Sequence, residues 1–154
     1  MRIIYVLGKL GLTGTMVFIA GGLIPARFLT LISHLTIVII ILWSRDENIK
    51  ACLPFEYTTE DYSRKDIELQ TGLGIAIMLI GFELLTFLLG ITMFMPSAAM
   101  ISIAAHFSAS VLLAYFLFDE WDCSLYWWVF AFCSMLPAVI DATTAIGVLV
   151  LKKS

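Results

Sequence analysis

The sequence predicts an all-α integral membrane protein, a polytopic bundle of four transmembrane helices. Three observations predict it. The 154-residue chain is 61% hydrophobic and 14% charged, against about 45–50% and about 25% in soluble domains. Its mean hydropathy is +1.00, and a chain this short leaves too much surface exposed to hide such composition in a core, so the solvent is lipid. The apolar residues also fall in four continuous runs, each long enough to cross the hydrocarbon as a helix, which takes about 20 residues. A β-barrel is excluded, because its strands are short and alternating. The net charge of −3, from nine Lys+Arg against twelve Asp+Glu, and the lack of a basic stripe exclude nucleic-acid binding. No phosphate loop, zinc spacing or nucleophile elbow is present. The expectation is therefore one domain that is not an enzyme, with no cofactor, no metal and no small-molecule substrate.

The elements follow in order. Residues 1–23 are apolar, but Lys9 and a run of glycines (Gly8, Gly11, Gly14, Gly21, Gly22) weaken them, since glycine costs about 1 kcal/mol per helical position relative to alanine. Three readings stand: a signal peptide with Arg2 as its charged end and cleavage near Ala20–Gly22, a fifth span, or an interfacial extension. The bundle proper covers residues 24–151. Its first span is 24–43, and Arg27 near the start is read as snorkelling to the interface. The stretch 44–70 is the one long polar segment. Its second half reads as a helix capped by Thr58 or Thr59, with Glu60/Arg64 and Asp61/Lys65 four apart. It runs directly into the second span, 72–94. A short connection at Pro96–Ser97 makes a tight hairpin with the third span, 98–118. A short acidic loop leads to the fourth span, 125–151, where Pro137 predicts a kink. Residues 152–154 are a short basic tail.

Four spans put both termini on one side of the membrane. That side carries five basic residues and the other carries four, so the positive-inside rule scarcely decides. Lys152 and Lys153 abut the last span and favour cytoplasmic termini. Trp43, Trp121, Tyr126, Trp127 and Trp128 share the opposite face and read as an aromatic belt. Cys52 and Cys123 lie on that same face. In an oxidising compartment they pair as a disulfide; the alternative is two free thiols. Cys133, inside the fourth span, reads as a small buried residue.

His34, Glu83, His106 and Asp141 each sit near the middle of a different span and can lie at one depth. A charge at mid-bilayer costs about 2.5–3.5 kcal/mol on insertion scales, so these side chains face the bundle. The favoured reading is structural glue through interhelical hydrogen bonds; the sharper one is a metal or proton site. Ala98, Ser102, Ala105 and Ala109 form one small-residue stripe, and Ala138, Ala142 and Ala145 another, suited to close helix packing.

Pro25-Ala26-Arg27-Phe28-Leu29-Thr30-Leu31, Trp43-Ser44-Arg45-Asp46 and Asn48-Ile49-Lys50-Ala51-Cys52-Leu53-Pro54 resemble the transmembrane protein 107 family. So do Ile101-Ser102-Ile103-Ala104-Ala105-His106, Trp121-Asp122-Cys123 and Leu136-Pro137-Ala138-Val139. The resemblance runs from about Gly22 to Lys153; residues before Gly22 have no clear counterpart in it. It implies a four-span membrane component of the ciliary transition zone with cytoplasmic termini. It implies partners among Meckel-syndrome, tectonic and B9-domain proteins, and roles in ciliogenesis and Hedgehog signalling, with membrane lipid as the surroundings. On this reading the chain is a non-enzymatic scaffold of the gate that controls ciliary membrane composition. Glu60, Asp61 and Arg64 in the polar loop are then candidate partner-docking residues. The alternative is a small proton- or ion-coupled transporter or channel that uses His34, Glu83, His106 and Asp141.

Overall fold

A computed structural model describes residue 14, residues 19–119 and residues 121–153. The readings placed on residues 1–18 otherwise lie outside the described residues. Among the described residues the fold is an all-α bundle of four rods, each long and apolar enough to cross a membrane. One π turn, Ile19–Leu23, runs into α1, Ile24–Ala51. Helix α2 is Thr59–Leu88 and α3 is Pro96–Phe118. The fourth rod consists of α4, Cys123–Phe130, a π turn at Ala131–Met135, and α5, Leu136–Lys153. The widened turn sits just before Pro137, whose missing N–H cannot serve the carbonyl four residues back.

Buried residues recur at helical spacing, as expected of a helix with one inward face. Helix α1 buries Arg27, Leu31, His34, Val38 and Ile41, and α2 buries Leu69, Leu73, Ala76, Ile80, Glu83 and Phe87. The outward faces are apolar as well: Leu29, Met78, Leu85, Met100 and Phe107 are all exposed. Such faces suit lipid.

The ends of the rods are set by local chemistry. Backbone geometry turns non-helical at Ser44, where the hydroxyl donates to the Ile40 carbonyl at 2.8 Å, a back-bond that bends helices. Beyond this bend α1 continues to Ala51, so the first half of the polar stretch is helical too. Thr58 caps α2, accepting from the Asp61 amide at 3.1 Å, while its own amide donates to Asp61 at 3.3 Å. Helix α2 stops at Leu88, short of the expected 94. Gly90 takes φ +76° and its amide donates to the Phe87 carbonyl; the Ile91 amide donates to Thr86. This left-handed closure favours glycine. It leaves a short link to Pro96, which opens α3 at a position where a missing N–H costs nothing.

Candidate functional site

The polar groups of the membrane interior form one connected cluster drawn from all four rods. Arg27 is 1% exposed. Its guanidinium donates through Nη2 to Asp141 Oδ1 at 2.6 Å and through Nη1 to the Thr92 carbonyl at 3.2 Å and hydroxyl at 3.3 Å. Nε donates to Ser102 Oγ at 3.3 Å, and the group lies 5.5 Å from the Phe87 ring centroid. The other Asp141 oxygen accepts from the hydroxyls of Thr86 and Thr92. The Ser102 hydroxyl donates to Glu83 Oε2 at 3.4 Å. That oxygen also meets His106 Nε2 at 3.0 Å, and His106 Nδ1 meets His34 Nδ1 at 2.7 Å. The order is therefore Asp141, Arg27, Ser102, Glu83, His106, His34.

Two sequence expectations change here. Arg27 does not snorkel: it is the internal cation, and the π turn before α1 extends the helix past it toward the N-terminus. Asp141 does not join the histidines directly. It pairs with Arg27, and Ser102 links the two halves. Thr86 and Thr92 were not singled out from the sequence, because hydroxyls are ordinary in membrane helices; their signal was proximity to Glu83 and to the α2–α3 link. Among the described residues no cluster of three or more His, Cys, Asp or Glu is arranged to hold a metal.

The small residues sit where helices approach. Ala98, Ser102, Ala109, Ala138 and Ala145 are buried, while Ala105 and Ala142 are half-buried. At Gly72 helix α2 comes close to the fourth rod: a Cβ there would lie 2.9 Å from Tyr126 Cε1 and 3.3 Å from Trp127. Tyr126 is thus core rather than belt, 2% exposed and stacked on Phe130. Trp43 and Trp128 are exposed, and Trp121 stacks on Tyr115. Cys133 is buried and free.

At the end of the bundle bearing the α1–α2 loop, Cys52 and Cys123 form a disulfide. Around it runs a charged crown. Arg45 pairs with Asp66 at 2.5 Å and Lys50 with Asp46 at 2.5 Å, and the Tyr62 hydroxyl donates to Asp46. The Asn48 amide donates to the Phe116 carbonyl at 2.8 Å. The predicted pairs four apart are replaced by pairs three apart: Arg64 with Asp61 at 2.9 Å and Lys65 with Glu68 at 3.0 Å. The cause is the cap. It folds the Asp61 carboxylate back onto Thr58, and Trp127 Nε1 donates to Glu68, drawing that side chain inward. Hydrogen bonds from the Thr58 hydroxyl and amide hold the Asp61 carboxyl below its ordinary range. Glu60 and Arg64 are exposed, and Phe55 at the loop tip is fully exposed.

Comparison with known proteins gives a consistent result. A family model, TMEM107, described as a transmembrane protein, matches residues 23–145. Transmembrane protein 107 of Homo sapiens is 49% identical over 133 residues, covering 86% of this chain and 95% of the relative. The rat protein, from Rattus norvegicus, gives the same identity and coverage. The Danio rerio protein is 46% identical over 120 residues, covering 78% and 89%. No solved structure gives a significant match.

Proposed function

Given that the chain belongs to the transmembrane protein 107 family, we propose that it is a non-enzymatic scaffold in the membrane of the ciliary transition zone. It helps assemble the gate that sets ciliary membrane composition, and through it ciliogenesis and Hedgehog signalling. The observation that carries the scaffold reading is the closed state of the interior cluster. Arg27 and Asp141 are each 1% exposed, and Glu83 and His106 are 0% exposed. Apart from Glu83 Oε1, which is buried without a hydrogen-bond partner, their hydrogen bonds run to one another, to His34, to Ser102 and to Thr86 and Thr92, and tie the four rods into one arrangement. Cytoplasmic termini accompany this reading. The disulfide supports them, since such bonds persist in oxidising compartments on the other side of the membrane.

The crown is the partner-facing surface on the non-cytoplasmic side, where it docks the ectodomain of a transition-zone membrane partner. Asp61 closes the α2 cap, so a docking test leaves it intact. Glu60→Lys with Arg64→Glu inverts two exposed charges. Partner capture from ciliated cells should fall at unchanged protein level, and unchanged capture removes the crown from the interface. The primary experiment is localisation of an endogenously tagged copy. A ring between basal-body and axoneme markers is expected. Spread through the endoplasmic reticulum or the whole plasma membrane, with cilia normal after its loss, refutes the reading.

A second reading, proton or ion movement, draws on one observation: the contiguous Glu83–His106–His34 contacts. It requires pH-dependent flux in proteoliposomes that Glu83→Gln abolishes. Flux no greater than in empty liposomes removes it.

A further inference from the structure

We propose that Phe55 is the anchor by which the crown holds its partner, and that the partner's side of the contact is an apolar cleft rimmed by lysine and arginine. The inference rests on the scaffold reading above and gives its docking face a chemistry.

Phe55 is 102% exposed, while the other large apolar side chains of its loop are engaged: Leu53 packs against the core and Tyr57 stacks on Tyr62. The loop is short and held at both ends. Cys52 is bonded to Cys123, the amides of Cys52 and Leu53 donate back to carbonyls of α1, and Thr58 closes the cap of α2. Pro54 fixes one more dihedral angle directly before Phe55. An aromatic ring held out on a braced loop loses little conformational freedom when a partner buries it, which suits it to anchor an interface.

The ring stands clear of lipid. Asp66 of α2 pairs with Arg45 of α1, two residues past the exposed belt residue Trp43. From Asp66 to Thr59 α2 runs seven residues farther out, about 10 Å at a rise of 1.5 Å per residue. The headgroup layer is only about 5–8 Å deep on each side of the hydrocarbon, so the loop tip lies in water.

Charge then selects the partner. All acidic residues except Glu83 and Asp141 fall within Asp46–Glu68 or Asp119–Asp122, ten of the twelve, against four bases. Each of those bases, Arg45, Lys50, Arg64 and Lys65, is already paired with a carboxylate of this chain. Glu56 beside Phe55 and Glu60 just after it are exposed and have no cationic partner among the described residues. The uncompensated charge around the ring is therefore negative. A second copy of the chain brings the same sign, and so does an anionic lipid; both are repelled. A cleft with a basic rim buries the ring and meets both glutamates.

The test replaces Phe55 with photoreactive benzoylphenylalanine in the full chain, expressed in ciliated cells, and sequences the crosslinked peptide. The expected product is a non-cytoplasmic segment of another membrane protein, with lysine or arginine flanking the apolar point of attachment. Adding Glu56→Lys/Glu60→Lys should lower the yield about tenfold, equivalent to about 1.4 kcal/mol. In the otherwise unaltered chain Phe55→Ala should weaken co-isolation of that sequenced partner by a similar factor, with Phe55→Leu in between. Persistence of the Cys52–Cys123 bond on non-reducing gels reports folding of each variant. Attachment to phospholipid, to a second copy or to a segment without basic neighbours overturns the proposal, as does no attachment, or a yield unchanged by charge reversal. Localisation of the wild-type chain separates the two readings. A transition-zone ring with any of these results overturns the anchor alone; absence of the ring refutes the scaffold reading and the anchor with it.

Discussion

Asp141→Asn isolates the electrostatic core of the bundle. The substitution keeps the shape of the side chain and removes the charge opposite Arg27, which lies 2.6 Å away with both side chains at most 2% exposed. Breaking a buried pair from one side costs about 3–5 kcal/mol. Arg27 keeps Ser102 Oγ, the Thr92 carbonyl and the Phe87 face, which places the expectation at the low end, about 3 kcal/mol. Arg27→Met strands the carboxylate instead, cushioned by the hydroxyls of Thr86 and Thr92, and should cost a comparable amount. The double variant Arg27→Met/Asp141→Leu replaces the pair with apolar groups and should recover most of the loss, a coupling of about 3 kcal/mol or more. The assay is unfolding of the purified full chain in mixed micelles by increasing SDS fraction, read by tryptophan fluorescence. A single-variant cost below about 1 kcal/mol, the value of an exposed pair, or strict additivity in the double variant, refutes the claim that this pair holds the rods together.

Reducing the Cys52–Cys123 bond, which spans 71 residues, should lower stability in the same titration by about 2–4 kcal/mol, and a Cys52→Ser/Cys123→Ser variant should be insensitive to reductant. Gly72→Ala drives a methyl against Tyr126 and should cost about 1–3 kcal/mol by overpacking, measured as the SDS midpoint; an unchanged midpoint means that the ring yields. The Asp61 carboxyl is held low by its cap, so its contribution to the start of α2 is present above the unfolded carboxylate range and is lost as pH falls through the folded value. Relative to the intrinsic exchange rate at each pH, protection of the amides at residues 59–62 should fall on acidification in the wild type, and already be low near neutrality in Thr58→Ala, whose cap loss costs about 1 kcal/mol.

The membrane-crossing rods were legible because lipid demands long apolar runs, and the Thr58 cap because it is local chemistry. His34, Glu83, His106 and Asp141 were visible as polar residues inside apolar runs, but their partners were not. Spacing along one helix says which residues share a face, not which residues another helix delivers to it. Arg27 was misread because an arginine near the start of an apolar run normally reaches the interface. Only the turn preceding Ile24 and the arrival of Asp141 from the far end of the chain place it inside. The crown pairs were misassigned for a related reason: Asp61 and Glu68 answer to Thr58 and Trp127, and the second of these comes from a distant rod. Tyr126 shows the same limit, since composition marks an aromatic as belt or core only when the glycine facing it, Gly72, is known.

The disulfide also acts as a record of assembly. Two complete crossings, α2 and α3, separate Cys52 from Cys123, so the thiols meet only when both helices have crossed and returned. A nascent chain cannot close the covalent loop until the third rod has been threaded and Cys123 delivered to the same side as Cys52. A chain with one crossing too few keeps the two sulfurs on opposite sides and remains open. Once closed, the loop traps the hairpin, which can no longer invert or withdraw, and quality control has a chemical distinction between finished and unfinished molecules.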